Sequence, residues 1–293
     1  MTLYAPKYYK DFHCIADKCT HSCCIGWEID IDPDTLEKYK ALSDGYGLVV
    51  KNSISYEGDP HFKLGCGDRC PHLNEKGLCN IILGIGEDHL CNICREHPRF
   101  YNFTSVAELG IGMSCIESAR VILSADEYDT FYEIGEVDCS DSFDFDGRAD
   151  RSAIYKILKD KDLSYGEKLD NISSKYGAMP LYDETYLEII NSLEYLDSSH
   201  KELFLKYSSS ARPLDAEKCL ERALAYFIYR HCTEAFDVED FAVRLTFCLF
   251  LERLLASLIC TENAKTLDEI ATLTSIISEE IEYNDENTEA LTY

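Results

Sequence analysis

Cys14-Ile15-Ala16-Asp17-Lys18-Cys19-Thr20-His21-Ser22-Cys23-Cys24-Ile25-Gly26-Trp27 sets four thiols within eleven residues. Packing does not call for such compression. Six more follow in Cys66-x3-Cys70-Pro71, Cys79, Cys91-x2-Cys94 and Cys115, so ten of the 15 cysteines lie in the first 115 residues. Thiols in a reducing compartment are not kept as structural disulfides, and a field this dense points to metal or redox chemistry. Thiolates are soft ligands that select zinc or iron-sulfur clusters over magnesium or calcium, and either centre commonly takes four. A proline directly after a cysteine, as in Cys70-Pro71, occurs in ferredoxin runs, whereas zinc sites more often show two separated C-x2-C pairs. An iron-sulfur cluster is the first expectation and zinc the alternative. Cys219, Cys232, Cys248 and Cys260 lie in helical patterns and Cys139 in an acidic connector; these five read as small core hydrophobes.

Outward from the cysteines the elements are short. Residues 27–31 (WEIDI) alternate apolar and polar like a strand, and Pro33 then opens a helix through Leu42, since proline suits a first helical turn. Five glycines between positions 45 and 67 mark turns around an expected strand at 48–56. Short helices are expected at 79–89 and from 115 to 123, and the acidic stretch 125–150 reads as a connector. Beyond it the periodicity is helical. Ser164-x-x-Glu167 and Thr266-x-x-Glu269 have the capping-box form, and Leu267, Ile270, Leu273 and Ile277 share one helix face. Two longer helices are expected to start near Asp215 and Asp237. The predicted fold is therefore mainly α: a small cysteine-rich, metal-binding N-terminal part with short helices and few strands (residues 1–125), followed by an acidic, all-helical C-terminal part (residues 126–293).

Charge narrows the partners. The chain carries 54 acidic against 28 basic side chains, a net of −26, which repels a phosphate backbone; nucleic acid is not an expected partner. Residues 1–120 hold −5 of that charge and the remainder −21, so the two halves differ physically. The longest apolar run, 245–260, is interrupted by Glu252 and Arg253 and falls short of the roughly 20 apolar residues a spanning helix needs. No membrane association is expected. The opening residues MTLYAPKYYKDF lack a secretory pattern, and the expected location is the cytoplasm.

Five blocks carry a resemblance: Tyr8-Tyr9-x2-Phe12-x-Cys14; Cys19-x3-Cys23-Cys24-x-Gly26-Trp27-x-Ile29-x-Ile31-Asp32; Cys70-Pro71-x-Leu73-x3-Gly77-Leu78-Cys79; Cys94-Arg95-x2-Pro98-Arg99; and Ser114-Cys115-x-Glu117-x-Ala119-Arg120. In these the chain resembles the bacterial flagellin lysine-N-methylases, which share their cysteine region with a wider group of zinc- or iron-chelating proteins. Looser similarity continues through residues 227–231 and 280–282 to Asn287. The resemblance implies methyl transfer from S-adenosylmethionine to lysines of flagellin, with a 4Fe-4S cluster involved. It carries eight thiols across as metal ligands: Cys14, Cys19, Cys23, Cys24, Cys70, Cys79, Cys94 and Cys115. Cys66 and Cys91 stand outside the pattern, as does His97, where an aromatic is commoner.

Methyl transfer to lysine needs a neutral amine, and an ordinary lysine pKa of about 10.4 requires a proton acceptor. Glu117 and His97 are the candidates. Arg95, Arg99 and Arg120 are candidates to clamp the cofactor carboxylate, and Trp27 to stack on the cofactor. Neither a G-x-G-x-x-G turn after a strand nor a C-x3-C-x2-C triplet is present, so neither the ordinary nucleotide cradle nor a standard radical site is indicated. The acidic second half suits recruitment of a lysine-bearing surface. Flagellin and S-adenosylmethionine are the expected partners, with the need for an electron donor left open. The competing expectation is a zinc- or iron-binding interaction protein whose cysteines are a structural staple.

Overall fold

Strand β1 (Thr2–Pro6) opens the chain in one compact unit, Met1–Phe12 with Arg99–Tyr293; between them His13–Pro98 forms a second unit of its own. The computed structural model describes residues 1–138, 145–179, 183–233 and 235–292, so Cys139 lies outside the described residues. Helix makes up 55% of the structure and strand 11%, which bears out the mainly α expectation.

In the smaller unit, α1 (Pro33–Ala41) starts where expected. Asp32 caps it by accepting from the Thr35 amide at 3.0 Å, and Pro33 occupies the first turn, where its missing N–H goes unneeded. α2 (Gly45–Asn52) replaces most of the strand expected at 48–56, leaving β2 (Ile54–Ser55) paired with β3 (His61–Phe62). The reason lies in its spacing: Gly47 and Val50, three apart, are its buried residues, a helical period that overrides the β preference of Val49-Val50. The strand expected at 27–31 also forms no ladder. Ile29 and Ile31 face inward and Glu28 and Asp30 outward, as alternation requires, but the backbone makes isolated bridges alone, Ile25 with Arg69 and Asp30 with His61. α3 (Asn80–Ile85) and α4 (Asn92–Glu96) complete this unit. Its core joins Ile29, Ile31, Tyr39, Val50 and Phe62 to Cys70 and Cys91.

The larger unit resumes with β4 (Arg99–Phe103) and β5 (Ala107–Ile111), an antiparallel pair, followed by α5 (Ile116–Ser124) and β6 (Phe131–Glu136). β5 runs parallel to β1, and β1 antiparallel to β6, giving the order β4-β5-β1-β6. β6 is a strand inside the part expected to be all helical, and β1, from the first residues of the chain, pairs with both β5 and β6.

The helices that follow are α6 (Arg148–Leu158), α7 (Tyr165–Tyr176), α8 (Asp183–Ser192), α9 (Ser198–Phe204), α10 (Glu217–His231), α11 (Val238–Glu262), α12 (Leu267–Ile277) and α13 (Asp285–Thr292). Both capping boxes form, Ser164 with Glu167 on α7 and Thr266 with Glu269 on α12. α11 is buried nearly all round, the mark of a helix at the centre of its unit. Cys232 and Cys248 are fully buried with their sulfurs 3.7 Å apart, whereas Cys260 is exposed at the last turn of α11, against the expectation of a core position.

Two buried carboxylates bind elements together. Glu108 on β5 and Arg151 on α6 make two parallel bonds of 2.6 and 2.7 Å, both side chains almost wholly buried, with Arg151 also donating to Thr233 at 2.8 Å. Glu252 on α11 accepts from the Tyr165 hydroxyl at 3.0 Å, and its Oε2 has no hydrogen-bond partner among the described residues. Burial raises the Glu252 pKa from 4.5 to about 7. Between those values the folded chain holds a proton that the unfolded chain releases, so this residue makes stability fall as pH rises through that window, by up to about 3 kcal/mol. Glu252→Gln is expected to flatten that part of the stability profile, measured by urea unfolding at pH 5 and pH 8. An unchanged slope would show that Glu252 is ionised throughout.

Candidate metal centre

Backbone hydrogen bonds bring the cysteine loops of the smaller unit together. The Cys70 amide donates to the Cys24 carbonyl at 2.9 Å, and Leu73 bridges Cys79 across a turn closed by Asn74, whose side chain accepts from the amides of Lys76 and Leu78. Arg69 donates to the Asn74 carbonyl at 2.7 Å, fastening the same turn. Cys79 precedes α3 and Cys91 precedes α4, which carries Cys94; the amide of Asn92 donates to Asp32 at 2.8 Å, pinning the start of α4 to the start of α1.

Five thiols gather in this way. Cys70 and Cys91 are buried in the core of the unit, and Cys24, Cys79 and Cys94 pack against it half-buried. Their acidities record how near they stand. The neighbouring Cys23 thiol stabilises the Cys24 thiolate and holds its pKa at about 7, despite burial. Burial raises Cys70 to about 11, with Cys24 and Cys79 adding to the rise, and Cys79 is raised by burial and by Cys24 and Cys91. Cys91 and Cys94 share a hydrogen bond, so the first proton leaves easily and the second is held: Cys91 is lowered chiefly by Cys94, and Cys94 is raised chiefly by Cys91.

Neighbouring amides point at two of these sulfurs. Cys70 receives the amide of His72, with N to Sγ 3.5 Å, and that of Leu73; Cys79 receives those of Ile81 and Ile82. N–H donors of this kind favour the thiolate form that a metal requires. Among the described residues no three histidine, cysteine or acidic side chains stand in a ready coordination sphere. The donor set nonetheless fits a soft metal: five sulfurs within electrostatic reach, two buried, with amide donors on two of them. His72 is not a free ligand, since Tyr46 and Ser53 each hold one of its ring nitrogens at 2.9 Å, and burial lowers its pKa to about 4.

Of the remaining residues named from the sequence, Cys23 is exposed beside Cys24, Cys14 is exposed, and the Cys19 thiol donates to the His21 carbonyl at 2.7 Å. Cys115 stands at the start of α5, in the larger unit. Glu117 and Arg120 form an ion pair of 3.2 Å on that helix, and Arg120 also reaches Asp268 at 2.9 Å. Arg99 donates to the Tyr9 hydroxyl at 2.8 Å and lies over the rings of Tyr9 and Phe12. In the smaller unit Arg95 donates to the Leu90 carbonyl at 2.6 Å, while His97 follows α4 and Trp27 is half-buried. Cys91, outside the family pattern, joins the gathering of thiols three residues before Cys94. In the larger unit His231, 2.7 Å from the buried Glu282, lines a cavity of about 270 Å³ with Arg244, Phe247, Asp285 and Glu289.

Among the described residues no helix is long and apolar enough to cross a membrane. No family model matches the chain, and no solved structure matches it. Curated relatives do. Proteins named Lysine-N-methylase from Salmonella choleraesuis (strain SC-B67) and Salmonella typhimurium (strain LT2) are each 26% identical over 133 residues, 42% of this chain and 33% of theirs. The Flagellar biosynthetic protein FliU of Salmonella muenchen is 26% identical over the same length, covering 78% of that protein. The match thus spans about a third of the two methylases. The likeness carried by the cysteine blocks is borne out: this chain is a distant homologue of proteins named lysine-N-methylase.

Proposed function

We propose that the chain is a protein-lysine N-methyltransferase that takes methyl groups from S-adenosylmethionine and places them on flagellin, using a metal centre held by thiols of the smaller unit. The similarity to two lysine-N-methylases and to a flagellar biosynthetic protein carries the reading, and the gathering of Cys24, Cys70, Cys79 and Cys94 supports the metal. When bound there, a 4Fe-4S cluster would supply a Lewis-acidic iron for the amino and carboxylate ends of the cofactor. Cys14, Cys19 and Cys23 complete the thiols of this unit assigned to metal binding; Cys115, in the larger unit, is assigned by the family likeness alone.

The chain's own groups would do the rest. Glu117 and His97 are assigned to removing the lysine proton, and the Glu117–Arg120–Asp268 chain of charges holds Glu117 in place until a cationic side chain competes for it. Arg95, Arg99, Arg120 and Trp27 are assigned to the cofactor. The test is incubation of anaerobically purified protein with S-adenosylmethionine and flagellin, followed by mass measurement. Stepwise gains of about 14 Da on lysine are expected. Their absence from protein that retains its metal would remove the enzyme reading and leave the metal-stapled interaction protein, for which zinc in a colourless sample would be the sign.

A further inference from the structure

We infer that Cys91 is a ligand of the metal centre and that Tyr39 positions it; this rests on the metal reading above and adds a residue which the family likeness leaves out. Cys91 is fully buried, yet its surroundings are not those of a cysteine acting as a small hydrophobe. Its sulfur lies 3.5 Å from the Tyr39 hydroxyl, and Cys94 follows three residues later on α4. A buried sulfur beside a hydroxyl and next to a second cysteine of a C-x2-C pair is suited to hold a soft cation.

The local fold prepares this position. Cys91 sits at the start of α4, and Cys94 comes three residues later, where helical spacing brings i and i+3 to one face. Asp32 fixes the Asn92 amide, and the Arg95 amide donates to the Cys91 carbonyl at 2.9 Å. Tyr39, also fully buried, has one hydroxyl proton and two acceptors in reach: the His89 carbonyl at 2.5 Å and Cys91. As a thiol, Cys91 can donate to the Tyr39 oxygen. As a metal-bound thiolate it has no proton and becomes an acceptor, with Tyr39 its nearest hydroxyl donor. A donor to a ligand atom orients the ligand and slows its release.

The experiment compares wild type, Cys91→Ser, Cys66→Ser and Tyr39→Phe, each purified without oxygen, for iron, zinc and sulfide per chain, visible spectrum and rate of extraction by a chelator. Cys91→Ser is expected to lose the metal or to hold it at least about tenfold more weakly with a shifted spectrum. Tyr39→Phe should keep the metal, release it roughly tenfold faster and shift the sulfur-to-metal bands. Cys66→Ser, whose sulfur is exposed, should match wild type. Full metal, unchanged spectrum and unchanged extraction in Cys91→Ser would overturn the inference while leaving the centre standing. Wild-type protein without metal would overturn both. Should Cys91→Ser fail to fold by circular dichroism, Tyr39→Phe decides, and wild-type behaviour there overturns the inference.

Discussion

Cys94→Ser is expected to strip the metal and to bring methyl transfer to flagellin down to the level of a reaction without protein. Cys94 bonds Cys91 and interacts with Cys24 and Cys70, so removing it takes away a donor that meets three other thiols. The loss should extend to folding, because His13–Pro98 is built from short helices and one two-residue strand pair, and in a unit of this kind metal-binding free energy is folding free energy. Limited proteolysis of the variant should therefore cut within residues 13–98, while the helical circular dichroism, which comes mostly from the larger unit, persists. A variant free of metal that still methylates would detach the centre from the chemistry.

Glu108→Ala should have the largest effect on the larger unit, lowering its stability by about 3–5 kcal/mol. The substitution leaves the Arg151 guanidinium buried with Thr233 as its remaining hydrogen-bond acceptor, set against the rings of Phe131 and Tyr229 at 4.6 and 5.1 Å. Charge without a counter-charge in that setting is destabilising well beyond the bonds removed. The paired change to two apolar residues should recover much of the loss, since the charge and its partner then leave together. Urea unfolding of the single and double variants reads both outcomes. A single variant within about 1 kcal/mol of wild type would mean that water reaches the pair.

Local signals in the sequence transferred well. Asp32-Pro33, Ser164 with Glu167, Thr266 with Glu269 and Asp237 all start helices, because a cap is written in residues that touch each other along the chain. The sheet was not legible. β1 finds its partners more than a hundred residues away, and β5 is buried at all five positions, so neither shows the alternation that betrays a strand. The same distinction holds at the site. Thiols close in sequence point to metal chemistry, but which of them meet depends on the long-range bond between Cys70 and Cys24 and on the bond from the Asn92 amide to Asp32. The burial of Cys91 beside Tyr39 is likewise a long-range feature that its sequence neighbours do not show.

Phe12 and Arg99 mark where the chain leaves the sheet-and-helix unit and where it comes back, and the Arg99 guanidinium lies 6.0 Å from the Phe12 ring. An excursion of 86 residues thus begins and ends at nearly one spot, like an inserted cassette. The β1–β5 register depends on residues outside that excursion. Evolution could lengthen, trim or exchange the sulfur-bearing cassette without re-threading its host, and a protein engineer could do the same with a short loop joining the two ends.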